Sequence, residues 1–345
     1  MSRLAVLLFA LSLSVAHAEE RQAVIFMYHH FGVEQYPSTN VRLAQFEAHL
    51  DYIADHGYQV WPLQRVVAYL REDRPFPERV VVITVDDAYT SVYTEAYPRL
   101  RARGWPFTVF VATDGVDKGY TALMSWAQMR EMREHGATFA NHSASHDHLV
   151  RRHRGEDEAA WLARVRADVQ RAQRRLQAEL GEAPLLFAYP YGEYTTAIAD
   201  LIADLGFTAF GQHSGPAGLG YDRRALPRFP MSERFAVMED FRSKIASLAL
   251  PLAAVEPWEP VIGAQNPPPL AVTVGEGPRR LDDLACYVSE QGRTPVTWVD
   301  RAARRFAVRA EAPLPLGRSR YNCTLPSAQR GRFYWYSHPW LRLAE

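Results

Sequence analysis

Between residue 23 and about residue 248, short apolar β-forming runs alternate with amphipathic stretches, and this alternation leaves few architectures open. Residues 23–28, 58–61, 80–85, 107–111, 137–140, 185–188 and 207–210 read as strands, rich in Val, Ile, Phe and Tyr. Residues 43–56, 63–70, 93–103, 126–135, 156–180 and 197–205 read as helices, and Gly57, Gly104, Gly136 and Gly181 stop four of them. In the longest, Trp161, Val165, Val169, Ala172, Leu176 and Leu180 share one face and arginines occupy the rest, the pattern of a surface helix on a sheet. Repeated strand–helix units imply an α/β fold: a parallel sheet wrapped by helices, closed or nearly closed.

Four of the predicted strands end in polar motifs: His29-His30, Asp86-Asp87, His142 to His146, and Pro190-Tyr191-Gly192. In a parallel barrel the carboxyl ends of the strands share one rim, where active sites are built. Neighbouring side chains at a strand end diverge, so one of Asp86 and Asp87 can bind a metal while the other acts as a base. Asp plus two histidines four apart makes a three-ligand Zn²⁺ set with one position left open. Each motif also has a plainer reading. The aspartates suit a helix N-cap, the histidines a polar loop, and Pro-Tyr-Gly an ordinary turn. His148 crowds the His142/His146 pair and is placed beside the ligand set. Alternation along Ile25 and Met27 puts His29 on one face and His30 on the other, so only one aims into the site. An imidazole there suits proton donation to a leaving amine.

Past residue 248 the composition changes. Residues 249–269 read as a linker, within which the proline-rich stretch 251–269 lacks helical periodicity and also supplies a first edge. Runs at 270–274, 285–289, 294–299, 305–310, 319–324 and 332–337 suggest a small all-β sandwich over 270–345. Cys286 and Cys323, the only cysteines, fall in two of these runs, and in an oxidising compartment a disulfide is the default. At the N-terminus, Arg3, the apolar run 4–15 and Ala16-His17-Ala18 read as a signal peptide over 1–18, cleaved after Ala18. That places the mature protein in the periplasm or outside the cell. The apolar run is too short to span a bilayer and no later one is apolar enough, so no transmembrane span is expected. Lys plus Arg and Asp plus Glu both total 39, without a basic–aromatic patch, which argues against nucleic acid as a partner.

Thr84-Val85-Asp86-Asp87, His142-Ser143-x-x-His146 and Pro190-Tyr191-Gly192 together resemble, in order and spacing, the polysaccharide deacetylases of the NodB-homology type, the fourth carbohydrate esterase family. The resemblance spans roughly residues 22–245. It implies a distorted (β/α) barrel over residues 22–248 and a metal-dependent hydrolase that removes N-acetyl groups from an N-acetylglucosamine-containing polysaccharide or oligosaccharide. By the same resemblance Asp86 is the catalytic base and Asp87, His142 and His146 hold a divalent metal, Zn²⁺ first, with Co²⁺ or Ni²⁺ as alternatives. The Tyr191 N–H would face the oxyanion.

The chain departs from the family pattern in three places. Ala88 follows the paired aspartates where glycine is usual. Ala188 and Tyr189 stand before Pro-Tyr-Gly where an arginine is usual, leaving Arg228 as a weak candidate to orient Asp86. A late Leu-His-Asp motif is missing. Tyr28-His29 looks like that motif relocated, as in the circularly permuted deacetylases of poly-β-1,6-N-acetylglucosamine, so His29 takes the acid's role and His213 is the second choice. Tyr89, Trp126, Tyr189 and Tyr194 are candidates for a sugar-stacking wall, and Phe333-Tyr334-Trp335-Tyr336 for a glycan contact or alternating core. Two alternatives stay open: a secreted carbohydrate-binding protein without turnover, and a metal-dependent esterase or amidase on a small acylated substrate.

Overall fold

The computed structural model describes residues 19–344, so the signal-peptide reading of residues 1–18 lies outside the described residues. Six strands form the body of the nine-stranded main sheet: β1 (Gln22–Tyr28), β2 (Val80–Asp86), β3 (Phe107–Val111), β4 (Ala137–Asn141), β5 (Leu186–Ala188) and β6 (Thr208–Phe210). Their spatial order follows the chain, and every neighbouring pair is parallel. Each crossover therefore moves one place in the same direction, and the twist of each pair accumulates into a curl.

A segment without a sequence signal narrows the remaining gap. Leu226 bridges Phe210 of β6, while Phe229–Pro230 pairs in parallel with Phe26 and Met27 of β1. Ala217–Gly218 lies antiparallel on the start of the same strand. One stretch thus touches both outer strands, and the half-barrel becomes a distorted barrel.

The strands are buried on both faces, as expected of a helix-wrapped parallel sheet. Val81, Ile83 and Val85 pack outward with Val24, Phe26 and Tyr28 in the layer under the helices. Val80 and Val82 point inward with Ala23, Ile25, Phe110, Leu186 and Ala188, joined by the apolar face of the helix Leu63–Arg71. Period-two alternation therefore continues inward through Thr84 and Asp86 on β2 and through Met27 and His29 on β1.

The C-terminal part is a β-sandwich. One layer holds β7 (Leu252–Glu256), β8 (Leu270–Val274), β11 (Val296–Asp300) and β12 (Arg305–Val308), in the order β7-β8-β12-β11. The other holds β9 (Ala285–Val288), β10 (Gly292–Thr294) and a long hairpin of β13 (Gly317–Pro326) and β14 (Phe333–Arg342). Leu270, Val272, Phe306, Tyr321, Cys323 and Trp340 share the core between them. Within the stretch read as linker and first edge, Leu252–Glu256 is the edge strand, and Leu248–Ala249 pairs with β14. Cys286 and Cys323 are directly opposed across β9 and β13 and form a disulfide.

The two parts are in contact. Trp335 packs edge-on against Phe229 at 5.3 Å, and Arg332 donates to Glu20 and to the Ala246 carbonyl. Of the C-terminal aromatic cluster, Tyr336 is buried and Phe333 exposed, the core-and-surface alternative for that run. Among the described residues no helix is long and apolar enough to cross a membrane.

Candidate active site

Register places the polar strand ends at one level. Tyr28 pairs with Val85, so His29 follows beside Asp86; Asn141 pairs with both Val111 and Phe187, so His142 emerges beside Ala188. Asp86 is the last residue of β2 and is fully buried, pointing into the barrel. Asp87 follows in the left-handed region at φ 58°, which swings its carboxylate away from that of Asp86. Ser143 (φ 65°), His146 (φ 59°) and Tyr191 (φ 59°) share this conformation. It is costly for residues with a Cβ, and its concentration here is the kind of strain that accumulates at functional sites.

Asp87, His142 and His146 bring their ligand atoms within 4.8 Å of one another. Asp87 Oδ1 lies 3.4 Å from His142 Nε2 and 3.0 Å from His146 Nε2. His142 is buried, and its Nδ1 is 2.7 Å from the Ala188 carbonyl, which can only accept. Nδ1 therefore carries a proton, and with a metal bound Nε2 would present its lone pair. That Nε2 has no hydrogen-bond partner, an unsatisfied buried atom aimed at the carboxylate. A carbonyl behind a ligating imidazole is the usual support in metal sites, so the three residues fit a divalent cation. Burial acts to raise the Asp87 pKa, but the two imidazoles outweigh it and hold the carboxyl well below its ordinary range. His148 lies outside the trio, its Nδ1 2.7 Å from Glu193 and its ring stacked on Tyr191 at 3.9 Å.

Asp86 has a partner of its own. Arg228, on the segment that narrows the barrel, is fully buried and donates from Nη1 to Oδ1 at 2.6 Å and from Nη2 to Oδ2 at 2.8 Å. Its Nε donates to the Gly211 carbonyl at 3.0 Å and Nη1 also reaches Thr84 Oγ1 at 3.2 Å. The fork is locked from both sides. Burial pushes the Asp86 pKa up, yet Arg228 and His142 together bring it below the ordinary carboxylate value. His29 faces both carboxylates, but burial dominates and lowers its pKa from 6.5. His213 is buried beside Arg320 and Arg228 and is pushed down to about 3.

Around these groups opens a cavity of about 710 Å³ that His29, Asp87, Tyr89, His146 and Tyr191 help to line. The stacking-wall expectation is corrected for Tyr189, which is buried in the core under the helices and donates to the Arg224 carbonyl, whereas Tyr194, also largely buried, borders the cavity. Trp126 opens its helix, capped by Ser125, and its Nε1 donates to Asp117. Tyr89 does face the cavity, with the His30 ring stacked on it at 3.6 Å.

Two supports escaped the sequence reading. Asp168, buried on the long helix Glu158–Leu180, accepts from the Ala144 and Ser145 amides and ties down the loop carrying the two histidines. An acid on the apolar face between Val165 and Val169 was its visible signal. Gln212, whose Nε2 lies 3.5 Å from Asp86 Oδ2, carried none.

The family model for polysaccharide deacetylase matches residues 73–210. YxkH of Bacillus subtilis (strain 168), named as a candidate polysaccharide deacetylase, is 34% identical over 122 residues, covering 35% of this chain and 42% of that protein. Poly-β-1,6-N-acetyl-D-glucosamine N-deacetylase of Escherichia coli (strain K12) is 25% identical over 206 residues, covering 50% of this chain and 30% of that one. The chain therefore spans less than half the length of these two relatives. The Streptococcus pyogenes deacetylase PplD, solved with acetate, superposes with a TM-score of 0.59 at 22% identity, over 65% of this chain and 98% of that one, which supports the fold. The motifs, the matched segment and the barrel agree: residues 73–210 of this chain are similar to the polysaccharide deacetylase family, and the fold around them is that of the solved deacetylase.

Proposed function

We propose that the protein is a metal-dependent hydrolase that removes N-acetyl groups from an N-acetylglucosamine-containing polysaccharide outside the cytoplasm. The observation that carries this reading is the pair of adjacent aspartates resolved into two environments, Asp87 with two imidazoles and Asp86 with a guanidinium. Asp87, His142 and His146 would hold a divalent cation, which would supply Lewis-acid polarisation of the acetyl carbonyl and acidification of water.

The remaining steps belong to the chain's own residues. Asp86, kept ionised by Arg228, accepts the proton of the attacking water. The Tyr191 N–H, in the turn fixed by Gly192 donating to the Tyr189 carbonyl, faces the developing oxyanion. His29 protonates the departing amine, and its position beside Asp86 and Asp87 favours it over His213, which is set beside two arginines. The disulfide between Cys286 and Cys323 supports an oxidising, extracytoplasmic setting. Acetate release from N-acetylglucosamine oligomers is expected from the Zn²⁺- or Co²⁺-loaded protein, and chelation or Asp86→Asn should each lower it about 100-fold or more. Turnover that survives both changes would refute the reading, and oligomer binding without acetate release would return the protein to the binding class.

A further inference from the structure

The sandwich reaches into the catalytic cavity. Arg318 and Arg320 of β13 line the same cavity as His29, Asp87 and Tyr191. Arg318 Nη1 donates to the Tyr191 carbonyl and, at 3.1 Å, to Gln212 Oε1, so it stands one residue from Asp86. Arg320 is largely withdrawn from water. Its Nη1 has only two long neutral contacts, 3.4 Å each, to the Gln212 carbonyl and to Ser214 Oγ.

Among the described residues neither guanidinium meets a carboxylate, and Glu290 on the same cavity wall pairs with neither. Burial and Arg318 both lower the Arg320 pKa, a cost that this fold leaves uncompensated. Two like charges on one face of a single strand, bordering the same cavity as His29 and Asp87 and paired with no carboxylate among the described residues, are placed to receive an anion. Guanidinium forks match a carboxylate or a phosphate, and they repel the free amines that accumulate as an N-acetylglucosamine polymer is deacetylated.

We infer that Arg318 and Arg320 form a subsite for an anionic sugar substituent, a carboxylate or a phosphate, so that the glycan deacetylated here is acidic. This rests on the proposed deacetylase reading and narrows its substrate class. The sandwich then sets specificity from a second part of the chain, with the acidic sugar held next to the residue whose acetyl group is removed.

The test uses the full, metal-loaded chain and three matched oligomers. The first alternates N-acetylglucosamine with glucuronate, the second is the same oligomer with its carboxylates methyl-esterified, and the third is an N-acetylglucosamine oligomer bearing 6-phosphates. The expected kcat/KM is at least tenfold higher on the glucuronate or phosphate oligomer than on the ester, and the better of the two names the anion. Arg320→Gln, which keeps much of the side chain's volume, should bring that ratio near one. Calorimetric titration of the metal-free protein with the acid and the ester supplies a readout independent of turnover, with the acid binding at least tenfold tighter. Equal binding of acid and ester, or a preference unchanged in Arg320→Gln, overturns the subsite. Preferential binding of the acid with no acetate release from any oligomer keeps the subsite and overturns the deacetylase reading instead.

Discussion

Replacing Arg228 by Met isolates a buried carboxylate. In the native fold Asp86 and Arg228 are both fully buried and joined by two short hydrogen bonds, so removing one partner leaves an uncompensated charge, which typically costs about 3–5 kcal/mol. The orphaned Asp86 has one escape, which is to take up a proton. Against an ordinary pKa of 3.8, protonation costs about 4.4 kcal/mol at pH 7 and about 1.6 kcal/mol at pH 5. The native pair behaves in the opposite sense. Its carboxyl is held below 3.8, so its contribution is present above that pH and is lost only as pH falls through the lowered value. In the variant the pKa rises above 3.8, and stability is regained as pH falls. Urea denaturation of the two proteins should therefore show a deficit of about 4 kcal/mol at pH 7 that shrinks to about 2 kcal/mol at pH 5. Asp86→Asn also orphans its partner, so the double variant should be more stable than the sum of the single losses by a few kcal/mol. Acetate release should fall about 100-fold or more. A deficit that does not change with pH, together with additive single losses, would refute the reasoning.

Three other outcomes follow from different parts of the fold. His213 and His338 are buried, neutral and pushed down to about 3, so each should cost about 2 kcal/mol of stability at pH 5 relative to pH 7.5; a urea midpoint that stays flat over that interval contradicts their burial as neutral rings. Gly192 sits at φ +70°, and a Cβ there would stand 2.6 Å from Gln212 Cβ and 2.8 Å from its backbone nitrogen. Gly192→Ala is expected to displace Gln212, lowering activity about tenfold and stability by roughly 1–3 kcal/mol, as read by acetate release and thermal melting. The Cys286–Cys323 bridge closes a separation of 37 residues and is worth about 4 kcal/mol in the chain-entropy picture; an unchanged melting temperature after reduction would count against it.

Much of the site was readable because the barrel obeys local rules. A run of β-formers with period two says which side chains face inward, and His29 and Asp86 inherit the inward parity of Ile25 and Val82. The topology rule then brings all strand ends to one rim. Asp168 was partly legible, as an acid in the wrong place on an apolar helix face. Tyr189 misled because nearness in sequence to Pro190-Tyr191-Gly192 says nothing about direction, and it turns into the core.

The chain alone determined the α/β class, the strand ends that carry chemistry and the spacing of the two histidines. These depend on periodicities of two and 3.6 residues, which any short window displays. The tertiary structure decided that Arg228 holds Asp86 across a separation of 142 residues, that Leu226 and Phe229 draw the sheet towards closure, and that β13 brings Arg318 beside Tyr191. The reason is physical: each of these contacts joins segments that share no local period. They exist only because the twist of the sheet and the docking of the sandwich bring those segments to the same place.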